Sequence, residues 1–299
     1  MKNTKGKTEY PPLTRELVVE GLRGLGLKEG DVIFVHSSVK DLAPARQLLT
    51  LPEMGMPYVL DGLKEVVGPQ GLLAFPTFSY CYFKRKYGPT GTIWDKKTAP
   101  SKVGNMTQYF LKQGGVKRSD HPTHSVAAWG ERAEEFVSNH GYQDGTTFHI
   151  GSPWGKLCEW DGYILFYGTY LKTCTMIHAL EDWMKLPYLS VTEALVKDEN
   201  QDIQIVKVPG SPACCRDFYN IRGTKLEKLF LKTDFCTTGQ ICMAEITLFK
   251  ARDLVRWLWQ TIKDDPWVLL HRDPDDEFCW AAGQAAEKHL ATFNQPCPF

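Results

Sequence analysis

A histidine that lies three residues before a glutamate is the first feature of this sequence that could do chemistry. His178 follows Thr175 by three positions and precedes Glu181 by three, in a stretch predicted to be helical. Because residues three apart share one face of a helix, the three side chains can point together into a site. An imidazole titrates near neutral pH, and a neighbouring carboxylate can orient it and stabilise its protonated form. The spacing therefore fits a general base acting on an amine, and equally a His–Glu pair that ties a helix to a sheet.

A second polar group, His36-Ser37-Ser38, follows an apolar run that reads as a buried strand. Hydroxyl and backbone N–H groups at such a strand end can hydrogen-bond the amides of an extended ligand, for instance a pantetheine arm. The alternative is that the hydroxyls only cap a turn. The tripeptide leaves both readings open.

The third group lies between Arg118 and Ser125, where one guanidinium and two imidazoles, His121 and His124, precede a predicted strand. This loop could hold a phosphate or a negatively charged carbonyl oxygen. Alternatively, the histidines fix the turn around Pro122. A metal site here is disfavoured because no third ligand is recognisable.

The composition restricts the class of partner. Lysine plus arginine (35) balance aspartate plus glutamate (35), so no net field recruits nucleic acid or an anionic membrane. No apolar run reaches the roughly 18 residues that span a bilayer, and Met1 to Tyr10 lack the apolar stretch of a signal peptide. We therefore expect a cytoplasmic protein with a small-molecule partner.

Motifs of several large enzyme classes are missing. The sequence lacks G-x-G-x-x-G, G-x-x-x-x-G-K-[ST], G-x-S-x-G and H-E-x-x-H, which disfavours dinucleotide oxidoreductases, P-loop enzymes, serine hydrolases and zincins. The nine cysteines are odd in number and contain no C-x-x-C pair. This pattern predicts buried thiols rather than disulfides or a zinc site.

Helices and strands alternate along the first two thirds of the chain. The predicted strands are Asp31 to Val35, Gly71 to Phe75, Ser125 to Trp129 and Tyr163 to Tyr167, and the predicted helices are Arg15 to Leu25, Tyr58 to Val67, Ser101 (as cap) through Lys112, and Glu131 to His140. This alternation predicts an α/β layered sheet with its ligands at the carboxyl ends of the strands. Later segments, Val191 to Val208 and Gly239 to Phe249, read as antiparallel strands, followed by a helix from Lys250 to Ile262.

We therefore expect a single domain over residues 1–299. In this division residues 1–189 form an α/β core with the chemical motifs. Residues 190–299 complete the same fold or form a small lobe against it.

Six sequence blocks, taken in order, resemble the aminoglycoside 3-N-acetyltransferase family, also called the antibiotic N-acetyltransferase fold. The blocks are Gly30 to Ser38, Phe75 to Phe78, Pro100 to Gly104, Arg118 to Gly130, Gly151 to Leu157 and Thr175 to Glu181. The resemblance runs from about Thr14 to Glu181, with weaker similarity beyond it.

The resemblance implies a layered αβα sandwich with a mixed central sheet, distinct from the Gcn5-type acetyltransferases. It also implies a direct transfer of acetyl from acetyl-CoA to the 3-N amino group of an aminoglycoside, as in antibiotic resistance, with no metal. The expected partners are CoA and a small amine.

The resemblance assigns a role to each matching position. His178 would be the general base, Glu181 its supporting or substrate-facing carboxylate, and Thr175 a hydroxyl that bonds the thioester carbonyl. His36, Ser37, Ser38 and Thr77 would line the CoA channel, Ser101 and Lys102 would lie near the nucleotide end, and Glu181, Asp182 and His124 would face the substrate.

Two departures from the family's pattern leave alternatives open. The link after Ser38 is longer than usual, from Leu42 to Met56, which could change the channel mouth. Cys174 stands where the family commonly has asparagine, so a covalent acetyl-cysteine intermediate is a second possible mechanism.

The acceptor also stays open. A polycationic aminoglycoside is best bound by a carboxylate-rich cleft, and the neutral charge balance of this chain gives no indication of one. A biosynthetic relative acting on another small amine is the enzyme alternative. A catalytically silent protein that binds CoA or another ligand is the alternative from a different class.

Overall fold

The structure is a computed structural model that describes residues 9–83, 92–198, 200–211 and 224–299. Its α-helices are α1 (Arg15–Gly24), α2 (Ala45–Leu48), α3 (Met56–Val67), α4 (Asn105–Leu111), α5 (Ala133–Val137), α6 (Pro153–Glu159), α7 (Met176–Trp183), α8 (Lys225–Phe230), α9 (Ala251–Asp264) and α10 (Glu277–Leu290). Its strands are β1 (Val32–Ser37), β2 (Leu72–Pro76), β3 (Ile93–Trp94), β4 (Lys117–Arg118), β5 (Val126–Trp129), β6 (Tyr163–Tyr167), β7 (Ser190–Lys197), β8 (Ile203–Ser211), β9 (Thr237–Ile241) and β10 (Ala244–Lys250).

The main sheet has seven strands in the order β4-β5-β2-β1-β6-β10-β9. The central strand β1 runs parallel to β2 and β6, whereas β5 and β10 pair antiparallel to the strands beside them. The carboxyl ends of β1, β2 and β6 therefore lie at one edge, where the polar residues that follow them can meet.

Successive residues of β1 pack into two separate hydrophobic cores, one on each face of the main sheet. Phe34 packs into a cluster with residues of α6, α7 and α9. Ile33 and Val35 pack into a second cluster with residues of α1 and α3 on the opposite face. Side chains alternate between the two faces of a strand. A strand whose sheet is covered on both faces is therefore apolar at successive positions, as β1 is. The predicted αβα sandwich with a mixed central sheet is confirmed.

The later strands are divided between two sheets. A smaller sheet has the order β3-β7-β8, and β7 and β8 form the antiparallel pair predicted from the sequence. The β9 and β10 pair, also predicted, extends the main sheet through β6. The loop after β2 reaches the smaller sheet, where the Phe83 N–H donates to the carbonyl of Glu193 at 2.8 Å.

Two local predictions were wrong. Ser101 does not cap α4, which begins at Asn105 after Gly104. Gly104 has φ of 129°, a conformation that side-chain-bearing residues rarely adopt, and it turns the chain immediately before the helix. The helix predicted from Glu131 to His140 is shorter than expected, because only Ala133–Val137 is helical, as α5. The helix α10 had no counterpart among the predicted elements.

Within the part of the chain that the structure describes, no helix combines the length and the apolar character needed to cross a bilayer.

Candidate functional site

The helix α7 begins just beyond the carboxyl end of β6. Gly168 follows the strand with φ of 66°, and a 3-10 turn, Leu171–Thr173, leads to Thr175 before α7. A Cβ atom on Gly168 would lie 3.2 Å from the carbonyl oxygen of Ser38. Glycine therefore allows the two strand-end loops to approach each other closely.

His178 and Glu181 form a direct hydrogen-bonded pair on α7. His178 Nδ1 lies 2.6 Å from Glu181 Oε2, and the other carboxylate oxygen, Oε1, accepts from the Tyr188 hydroxyl at 3.2 Å. The Glu181 side chain is 6% exposed and that of His178 is 13% exposed. The carboxylate is thus enclosed, whereas the imidazole retains contact with the exterior.

The His178 imidazole packs against one aromatic ring, that of Phe148, which also contacts His124. The Phe148 ring centroid lies 5.7 Å from that of His178, and the His124 centroid lies 5.3 Å from that of Phe148. His124 also contacts the rings of Phe78 and Tyr80. The sequence-predicted residues His124 and His178 are therefore brought together through a shared aromatic neighbour.

The other two residues predicted on α7 are largely enclosed. Thr175 is buried directly before the helix. Asp182 accepts a hydrogen bond from the Thr146 hydroxyl, and burial raises the pKa of its carboxyl group. Asp182 therefore ties α7 to the loop before α6.

The polar residues at the carboxyl end of β1, His36 and Ser37 within the strand and Ser38 after it, lie partly in the core and partly at a cavity. His36 is buried between the rings of Phe34 and Phe166, and burial lowers its pKa to about 3. The Ser37 Oγ atom is buried without a protein partner among the described residues. The Ser38 hydroxyl donates to Asp41 Oδ2 at 2.6 Å.

A cavity of about 870 Å³ lies at the carboxyl ends of β1 and β6. Its lining includes Ser37, Ser38, Lys40, Lys172 and Thr173. The volume falls within the range of small-molecule sites. Lys40 and Lys172, which were not singled out from the sequence, bring positive groups to this lining, and Asp41 and Glu245 bring two carboxylates.

Thr77, Ser101 and Lys102 lie away from this lining. The Thr77 hydroxyl is buried and donates to the Ser125 carbonyl at 3.1 Å. The Ser101 hydroxyl lies 2.6 Å from Thr107 Oγ1, and Lys102 Nζ donates to Thr92 Oγ1 at 2.8 Å. In this structure the three residues make contacts within the protein.

The guanidinium of Arg118 forms hydrogen bonds to groups within the protein and is not an open anion site. It donates to the carbonyls of Thr77 and Ala99, to Ser79 Oγ and to Ser125 Oγ. Burial lowers its pKa to about 10. These bonds join β4 to the loop after β2.

The histidines around the Pro122 turn are buried. The His121 Nδ1 atom accepts from the backbone N–H of His124 at 3.0 Å, so it fixes the turn. His121 stacks on His140 with ring centroids 4.8 Å apart. Burial holds the pKa of both rings well below the ordinary value. His140 was not singled out from the sequence, and its position carries no local signal.

The described cysteines are free thiols, and Cys214 and Cys215 lie outside the described residues. Cys174 is buried, and burial raises its pKa to about 12. A thiol is a weak nucleophile until it loses its proton. The surroundings of Cys174 thus disfavour the covalent mechanism.

Among the described residues, His271, Asp276 and Cys279 form a group with metal-ligand side chains within 4.8 Å of one another. Asp276 Oδ1 accepts from the Cys279 N–H at 3.0 Å, and Oδ2 lies 3.1 Å from His271 Nδ1. These contacts cap the N-terminus of α10 and account for the group without a metal.

The sequence and structure comparisons agree on one family. The family described as aminoglycoside 3-N-acetyltransferase matches residues 34–263. The aminoglycoside N(3)-acetyltransferase IV of Salmonella sp is 28% identical over 254 residues, covering 84% of this chain and 87% of the relative. The SPbeta prophage-derived aminoglycoside N(3')-acetyltransferase-like protein YokD of Bacillus subtilis is 27% identical over 209 residues, covering 64% and 72%.

Solved structures show the same fold at lower identity. The apoenzyme of aminoglycoside acetyltransferase AAC(3)-IVa has a TM-score of 0.76 at 24% identity, covering 93% of this chain and all of that one. A mutant of that enzyme in complex with a gentamicin has a TM-score of 0.72 at 24% identity, covering 94% of this chain and 100% of that one. AAC-IIIb with bound CoASH has a TM-score of 0.66 at 21% identity, covering 95% and 99%.

Proposed function

The chain belongs to the aminoglycoside 3-N-acetyltransferase family, a family of acyltransferases, and from this membership we propose that it transfers an acetyl group from acetyl-CoA directly to the 3-amino group of an aminoglycoside. His178 is the general base of this proposal. The observation that carries it is the hydrogen-bonded pair of His178 and Glu181 on α7. The lining of the strand-end cavity includes Lys172 and Thr173 of the loop before this helix but no residue of the helix itself.

In the proposed reaction His178 Nε2 takes the proton as the amine nitrogen attacks the thioester carbonyl. The nitrogen–carbon bond forms, the carbon–sulfur bond breaks, and the proton passes to the departing CoA thiolate. Glu181 accepts from Nδ1–H, which selects the tautomer with a basic Nε2 and stabilises the imidazolium. The hydroxyl of Thr175 bonds the carbonyl oxygen as negative charge develops on it.

The cavity at the ends of β1 and β6 supports an acetyl-CoA site. Ser37 and Ser38 offer hydroxyl and backbone groups to the pantetheine arm, and Lys40 and Lys172 offer positive charge to the phosphates. Binding of CoASH to AAC-IIIb, a structural neighbour, is consistent with this use. In this proposal His36 and Thr77 support the wall of the CoA channel from within the core. Ser101 and Lys102 are proposed to lie near the nucleotide end of CoA.

The acceptor site is proposed around His178, His124 and the carboxylates of α7. Gentamicin and apramycin complexes of a structural neighbour favour an aminoglycoside acceptor. Such an enzyme would act in the cytoplasm, where acetyl-CoA is available, and would confer antibiotic resistance. No nucleic-acid or membrane partner enters the proposal.

A specific observation favours the second candidate, an acetyltransferase of the same family that acts on another small amine. The two α7 carboxylates, Glu181 and Asp182, are both held by bonds within the protein. A polycationic acceptor needs several negative partners for its ammonium groups.

Thiol release from acetyl-CoA tests both candidates. We expect release with aminoglycosides in wild type, and a fall in kcat of about 10²–10⁴-fold in His178→Ala, the usual loss for a general base. Release only with other amines would select the second candidate. Full kcat in His178→Ala would refute the base assignment, and no release with any amine would favour a silent binding protein.

A further inference from the structure

Tyr188 completes a three-residue chain of hydrogen bonds that ends on the proposed base. Its hydroxyl donates to Glu181 Oε1 at 3.2 Å, while Glu181 Oε2 faces His178 Nδ1 at 2.6 Å. Both oxygens of the enclosed carboxylate therefore have a protein partner. The motif that identifies His178 and Glu181 does not include Tyr188, which lies outside α7.

The end of α7 explains how Tyr188 returns to Glu181. The Leu186 N–H donates to the Glu181 carbonyl and the Lys185 N–H to the Asp182 carbonyl, both at 3.0 Å. Lys185 has φ of 52°, in the left-handed region. These bonds form a Schellman motif, which ends the helix and reverses the chain. The reversal brings Tyr188 back beside the carboxylate of Glu181.

We propose that Tyr188 is a positioning residue of the acetyl transfer, which holds the Glu181 carboxylate so that the His178 imidazole keeps one tautomer and one orientation. This inference rests on the proposed function. The terminal torsion of a glutamate is broad, so one bond to His178 leaves the carboxylate free to rotate. A second bond on Oε1 fixes the plane of the carboxylate.

The surroundings of Tyr188 keep its hydroxyl a donor. Burial, and then the negative charge of Glu181, raise the pKa of Tyr188 well above its ordinary value. The titratable groups that face it are Glu181 on α7 and Cys279 on α10. The tyrosine therefore stays protonated at any pH at which the reaction would be measured.

Tyr188→Phe is the appropriate variant because it removes the hydroxyl and keeps the ring. We expect kcat to fall about tenfold with the KM for acetyl-CoA unchanged, the loss typical of a hydrogen bond to a charged group. Without this donor more negative charge remains on Glu181, so the His178–Glu181 pair binds its proton more tightly. The acid limb of the pH profile of kcat/KM should therefore move to higher pH.

Tyr167→Phe is the matched control, because Tyr167 is buried and its hydroxyl has no protein partner among the described residues. It should leave the acid limb in place. In a Glu181→Gln background, Tyr188→Phe should lower kcat by a smaller factor than it does in the wild-type background, since the two residues act as one unit. Thermal melts of each variant confirm folding.

The outcomes separate this inference from the proposed function. Full kcat in His178→Ala refutes the proposed function itself. Loss of activity in His178→Ala together with wild-type kcat and acid limb in Tyr188→Phe refutes only the role of Tyr188. A fall in kcat that is equal with and without Glu181→Gln also refutes it, because the tyrosine would then act independently of the carboxylate.

Discussion

Two side chains near His178, the partly buried Asp182 and the buried Cys174, have surroundings that make them unsuitable for direct chemistry. Asp182 binds Thr146, and the Cys174 thiol is enclosed in the core. Glu181 differs, because its bonds lead directly to an imidazole that retains partial exposure. At the scale of single residues, the contacts around each side chain distinguish the proposed base from the groups that support it.

Replacement of Cys174 tests the direct mechanism. Because burial raises the pKa of the thiol to about 12, we expect Cys174→Ala to keep kcat within about twofold of wild type. Steady-state thiol release measures this, and intact-protein mass after incubation with acetyl-CoA should show no acetyl-enzyme. Cys158→Ala, at another buried cysteine, is the control. A wild-type acetyl adduct that Cys174→Ala abolishes would instead establish the covalent route.

At the scale of elements, the site depends on parallel strands whose ends meet. The pairing of β1 with β6 places Ser37 opposite Tyr167, so the loops that follow the two strands lie side by side. One loop supplies Ser38 and Lys40 to the cavity, and the other supplies Lys172. A ligand in this cavity would bridge the two loops.

Lys40 and Lys172 should determine affinity for acetyl-CoA rather than the rate of transfer. We expect Lys40→Met combined with Lys172→Met to raise the KM for acetyl-CoA about tenfold with kcat retained, because each lysine would face phosphate charge. The difference from wild type should shrink at high salt, since salt screens exposed charges. Lys28→Met, at an exposed lysine outside the cavity, should leave KM unchanged. An unchanged KM in the double variant would place the phosphates elsewhere.

At the scale of the whole molecule, we propose that residues 1–299 form a single domain. The strands β9 and β10, from the last quarter of the chain, belong to the main sheet, in which β10 lies next to β6. The helix α9 contributes to the same core as α6 and α7. The smaller sheet joins the loop after β2 through Phe83. These shared contacts support unfolding as one cooperative unit.

Three buried histidines should make stability depend on pH. Burial holds the pKa of His36, His121 and His140 below the ordinary value near 6.5, so they are neutral when folded and protonate more readily when unfolded. The unfolded state then binds more protons, and stability present above pH 6.5 is lost as pH falls below it. Each histidine should contribute a slope approaching about 1.4 kcal/mol per pH unit there.

Urea unfolding at pH 8, 7, 6 and 5 measures this effect. We expect one transition, with similar midpoints at pH 8 and 7 and lower midpoints at pH 6 and 5. A midpoint that stayed constant from pH 7 to pH 5 would contradict neutral burial of these rings. Separate transitions would contradict the single-domain proposal.

The sequence alone determined the features that depend on local periodicity. Apolar runs marked β1, β2, β5 and β6, and the three-residue spacing placed His178 and Glu181 on one helix face. These features survive in the structure because strand and helix periods are set by neighbouring residues along the chain.

Only the tertiary structure decided which polar groups meet. Arg118, for which the sequence left an anion site as one of two alternatives, is enclosed by carbonyls and hydroxyls from distant segments, whereas Lys40 and Lys172 line a cavity. Tyr188 reaches Glu181 only because the left-handed turn at Lys185 reverses the chain. Such contacts depend on strand order and on the path of each loop, and neither leaves a repeating pattern in the sequence.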